Sequence, residues 1–67
     1  MSKEWIIVHT TDKIYRAELM RQLLEEEGIE AVIINKKDSS YLIGEIEVYT
    51  RPDDVMKAKL LIEKFEL

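Results

Sequence analysis

The chain has 67 residues, no cysteine, a single histidine and a net charge of −4, from 10 Lys plus Arg against 14 Asp plus Glu. One domain, residues 1–67, fills that length, and the composition excludes disulfides, thiolate metal sites and a metal site built from histidines. An acidic chain with both signs interspersed also argues against nucleic-acid binding, which needs a basic face.

A core this small rarely supplies more than roughly 3–5 kcal/mol of net stability. Without disulfide or metal, oligomerisation is the staple that remains. The absence of cysteine fits a reducing compartment. Met1-Ser2-Lys3-Glu4 leads into only four apolar residues, Trp5 to Val8. That run is too short for a signal peptide or a membrane span, so the expected location is cytoplasmic, with no membrane contact.

Trp5 to Thr10 is a run of β-branched and aromatic residues and predicts a strand. Thr10, Thr11 and Asp12 follow as potential helix N-caps. From Lys13 the apolar residues take helical spacing. Ala17, Met20, Leu23 and Leu24 share one face, with Leu19 at its edge. Gly28 closes this helix as a residue able to take a positive φ. Ile29 to Ile34 is a second, almost continuously apolar strand. Asn35 to Ile43 predicts a loop ended by Gly44. Glu45 to Thr50 alternates apolar and polar, so this third strand has one buried and one wet face. Pro52 suits a first helical turn, and Asp53 and Asp54 favour its positive end. That last helix runs to about Phe65, with Val55, Ala58, Leu61, Ile62 and Phe65 on the face expected to meet the core.

A helix joins the first two strands, which should therefore run parallel, and a loop joins the second to the third, which should be antiparallel. The simplest sheet places the third strand between the other two. The expected fold is an α+β, βαββα two-layer sandwich. Its antiparallel sheet has three strands in order 1-3-2, with both helices on one face. This is the ferredoxin-like plan without its fourth strand. The expected core is Ala17, Met20, Leu24, Ile46, Val48, Ala58, Leu61 and Phe65.

The residues offer little for catalysis. His9 ends the first strand with no carboxylate or nucleophile placed by local spacing to work with it. Gly28 and Gly44 are the only glycines, so no phosphate-cradling loop exists. Glu25-Glu26-Glu27 reads as the solvated end of a helix. No enzyme activity, cofactor or metal is expected.

Two features point to binding instead. The loop brings Lys36, Lys37, Ser39, Ser40 and Tyr41 close together in sequence. Ammonium and hydroxyl groups of this kind hold an anionic group, whether on a protein partner or on a small ligand. The second feature is unpartnered apolar surface. Trp5, Ile7 and His9 share one face of the first strand, while Ile6 and Val8 share the other. Met56, Leu60 and Leu67 lie opposite the core face of the last helix. Trp5, Ile7, Met56, Leu60 and Leu67 are thus candidate interface residues for self-association, most simply a homodimer.

Several segments, taken in order, carry a resemblance. They are Ala17-Glu18-Leu19-Met20, Leu23-Leu24, Gly28-Ile29, Asn35 to Tyr41, Gly44 to Val48 and Pro52-Asp53-Asp54. With these the chain resembles a bacterial family of prokaryotic signal-transducing proteins with a PII-like, ferredoxin-related fold. The resemblance implies the α+β fold, a cytoplasmic location and a signalling role. In PII-like proteins the loop between the second and third strands reaches out to partners, and the matching positions here are Lys36 to Ile43. Two functions are therefore expected in turn. One is a non-enzymatic regulatory module binding a protein partner or an anionic ligand through the 36–43 loop. The other is a homo-oligomeric adaptor using the sheet face and the last helix.

Overall fold

The structure is a computed structural model that describes residues 4–36 and 46–66, the side chain of Glu66 excepted. Its elements are β1 (Ile6–Thr11), α1 (Ile14–Glu26), β2 (Ala31–Asn35), β3 (Ile46–Thr50) and α2 (Val55–Glu66), the last entered through a 3-10 turn at Pro52–Asp54. The sheet order is β1-β3-β2, with both outer strands antiparallel to β3. The expected βαββα topology is the one observed.

The alternation in β3 decides the layering. Ile46, Val48 and Thr50 are buried on one face, and Glu47 and Tyr49 are half-buried on the other. Thr50 is wholly buried yet satisfied, because its hydroxyl donates to the Arg51 carbonyl at 3.3 Å. In β2, Ala31 pairs with Thr50 and Ile33 with Val48, so these two join the buried face.

One core cluster unites that face with both helices. It contains Val8, Ala17, Met20, Leu24, Ile29, Ala31, Ile46, Val48, Ala58 and Ile62, with Ile33, Val55 and Leu61 packed against it. The Cα envelope measures 33 × 31 × 15 Å, a thickness that holds two layers. Among the described residues, both helices pack on one side of the sheet and no element covers the other.

The start of α1 departs from expectation. β1 extends to Thr11, and the N-cap is Lys13, whose side chain makes no capping bond. Thr11 instead accepts the Lys13 N–H on its hydroxyl at 3.2 Å. The end of α1 follows the sequence closely. Gly28 takes φ 84°. Its N–H donates to the Glu25 carbonyl at 3.0 Å, and the Ile29 N–H donates to the Leu24 carbonyl at 2.9 Å. This is the Schellman pattern, and its usual apolar partners, Leu24 and Ile29, are both buried. Ile29 thereby belongs to the helix stop, and β2 begins two residues later than its run of β-formers suggests.

Two expectations about packing are corrected. The buried stripe of α2 runs through Ala58 and Ile62, with Val55 partly buried at its start. Ile62 is 7% exposed, Leu61 lies on the rim, and Phe65, in the final turn, is 42% exposed. The second correction is in β1. Its register with β3 shifts between Ile7 and His9, so Val8 forms a bulge. Ile7 pairs with Tyr49 but His9 pairs with Val48, on the buried side. His9 therefore does not share a face with Trp5 and Ile7. Strict alternation fails there because a bulge adds one residue to one strand only.

Candidate functional site

The sheet face opposite the helices, open among the described residues, is where the distinctive side chains collect. The register sets them in cross-strand rows. Ile7, Tyr49 and Val32 form one row, and Thr10, Glu47 and Ile34 the next. One step beyond the strand ends, Trp5, Arg51 and Glu30 form a third. The Arg51 guanidinium lies over the Trp5 ring, 4.5 Å from its centroid, and also meets Glu30 Oε1 at 3.3 Å. Arg51 thus clasps the residues leading into both outer strands. A cation over a tryptophan face contributes roughly 0.5–1 kcal/mol at an exposed site.

Glu47 organises the opposite end. Its Oε1 accepts the Tyr49 phenol at 2.7 Å and meets Lys36 Nζ at 3.5 Å. Glu47 and Tyr49 are two apart on a strand, so alternation puts both side chains on the same face. The phenol's pKa is raised. The main cause is the hydrogen bond to Glu47, followed by partial burial and by the nearby negative charge of that carboxylate. Tyr49 is therefore held as a neutral donor.

The result is an apolar middle of Ile7, Val32, Ile34 and the Tyr49 ring. At one end stands the Arg51–Glu30 pair, at the other Lys36–Glu47. Apolar centre and charged rim are the anatomy of a protein-binding surface. Among the described residues, no three His, Asp or Glu side chains gather to hold a metal. Nor is any described helix long and apolar enough to cross a membrane.

The residues singled out in the sequence separate in space. Trp5, Ile7 and Lys36 share the open face, with Trp5 at the Arg51 end and Lys36 at the Glu47 end. Met56 and Leu60 project from α2 in the other layer, 71% and 62% exposed. Lys37, Ser39, Ser40, Tyr41 and Leu67 lie outside the described residues. Sequence reasoning missed Glu30, Val32, Ile34, Glu47, Tyr49 and Arg51 as members of a site. The alternation of β3 had already marked Glu47 and Tyr49 as one wet face. What the sequence lacked was the register that brings Arg51 between Trp5 and Glu30.

No curated protein and no solved structure matches the chain. The family described as "Putative prokaryotic signal transducing protein" matches residues 5–66. That span covers all five elements and the whole open face, and on it the chain belongs to the family so described.

Proposed function

We infer that the protein is a non-enzymatic signalling module that works by binding a protein partner through the open face of its sheet and the 36–43 segment. One observation carries this reading: Lys36, the first residue of that segment, is tied to Glu47 in the middle strand of the open face. A partner engaged by Lys36 would then lie against Tyr49, Ile34 and Ile7. The charged rim suits a partner that presents a carboxylate or phosphate beside an apolar patch. Charge-assisted hydrogen bonds to such a group contribute roughly 1.5–3 kcal/mol each. That is too little for tight capture of a small free anion, and the flat apolar middle adds what a protein surface can use. The expected compartment is the cytoplasm.

Photo-crosslinking in the native cell tests this. A photoreactive residue in place of Tyr49 should yield a defined adduct with another protein, and one in place of Met56 or Leu60 should not. Adducts formed only from the α2 positions would place the binding surface on the other layer.

A further inference from the structure

The two edges of the sheet are not equivalent. β1 is interrupted by the bulge at Val8, a device that blunts an edge strand against pairing. β2 keeps an unbroken register with β3 from Ala31 to Asn35 and contains neither charge nor proline. No strand among the described residues lies on its outer side. A regular, apolar edge of this kind is a template for another strand.

Charges stand just outside it, Glu30 before and Lys36 after. If β2 pairs antiparallel with β2 of a second copy, centred on Ile33, then Glu30 faces the partner's Lys36 and Lys36 faces the partner's Glu30. Val32 faces the partner's Ile34, and Ile33 faces its own equivalent. A parallel in-register pair would instead oppose Glu30 to Glu30 and Lys36 to Lys36. A slip by one residue would set open-face side chains against buried-face ones. The charges and the pleat therefore select one register, and it is the self-complementary one that a two-fold axis requires.

Both charges are available. The Glu30 and Lys36 side chains remain 64% and 53% exposed despite their contacts with Arg51 and Glu47. Surface pairs of this kind hold their members weakly.

We propose that two copies of this chain join antiparallel through β2, with Ile33 on the two-fold axis, into one continuous sheet. This goes beyond the partner site: it uses the edge of the sheet and makes the two open faces into a single platform.

Sedimentation of the full chain provides the test. The parent should dimerise. Glu30→Lys and Lys36→Glu, each placing like charges opposite one another at both ends of the pair, should each weaken the dimer about tenfold. The double variant should return to within about threefold of the parent. Within each chain the double variant sets like charges beside Arg51 and beside Glu47, so its recovery can only come from pairing between copies. A second variant reads the register directly. Ile33→Cys is the sole thiol in a cysteine-free chain. Facing Cα atoms in an antiparallel pair stand about 4.5–5.5 Å apart, within disulfide reach. It should cross-link to a dimer on mild oxidation, whereas Thr10→Cys on the β1 edge should not. A parent that stays monomeric at millimolar concentration would overturn the proposal. So would a double variant as weak as the single ones, or cross-linking through Thr10→Cys and not Ile33→Cys.

Discussion

Replacing Gly28 by alanine isolates the conformational term that ends α1. Gly28 sits at φ 84°, and a Cβ built there meets no heavy atom within 4 Å. Steric clash is therefore absent, and only the backbone geometry is at stake. A left-handed alanine costs roughly 1–2 kcal/mol. The stiffer unfolded chain gives back roughly 0.4–1 kcal/mol. The net loss is about 1 kcal/mol, a sizeable share of what a core this small supplies. In urea, with a slope of about 1 kcal/mol/M for the smallest domains, the midpoint should fall by about 1 M at unchanged slope. Gly28→Asn should lose clearly less, because asparagine tolerates this conformation. If the asparagine variant is as unstable as the alanine variant, or if alanine leaves the midpoint unmoved, the positive φ is not what sustains the helix stop.

Three further outcomes are expected. Ile62→Val should cost about 0.5–1.5 kcal/mol. Phe65→Ala should cost less than about 1 kcal/mol despite removing far more atoms, and the opposite ranking in urea would refute the packing of α2 described above. The Tyr49 phenol should ionise later than an ordinary tyrosine, read from phenolate absorbance against Tyr49→Phe. Because its folded pKa is raised, the folded state holds this proton more tightly. The stabilisation from Tyr49 is thus complete below about pH 10 and lost as pH climbs through the folded pKa, a loss that Tyr49→Phe should not show. Arg51→Ala should shift the emission of Trp5, the only tryptophan, by removing the guanidinium from its ring, while an unchanged spectrum would mean that the clasp does not persist in solution.

Elements and their order were legible because each rests on local chemistry. Gly28 stopped a helix, Pro52 started a turn, and Glu45 to Thr50 alternated. The order β1-β3-β2 followed from connection rules that need no distances. Three things were not legible. A bulge leaves no signature in Trp5-Ile6-Ile7-Val8-His9-Thr10, so the faces of β1 were assigned by strict alternation, which failed at His9. The rotation of α2 on the sheet depends on how closely Ala58 approaches it, and helical spacing alone could not choose Ile62 over Leu61 or Phe65. The open face joins residues from three strands, and only the register brings Glu30, Arg51 and Trp5 into one clasp. Lys36 was singled out for its charge. Its placement on the open face comes from the contact with Glu47, which sequence spacing does not predict.

The partner-binding role of the open face is tested most directly by Ile7→Lys. Ile7 is exposed beside Tyr49 in the middle row, away from the β2 edge, and a lysine there can extend its charge into water. Affinity for the protein captured by photo-crosslinking at Tyr49 is the quantity to measure, by calorimetry, together with the urea midpoint of each variant. Ile7→Lys should weaken binding at least about tenfold, the effect of losing roughly 1.4 kcal/mol at the apolar centre, with the midpoint little changed. Leu60→Lys, on the outer side of α2, should leave both binding and midpoint as in the parent. Full affinity in Ile7→Lys and loss of affinity in Leu60→Lys would contradict the assignment and move the working surface to α2.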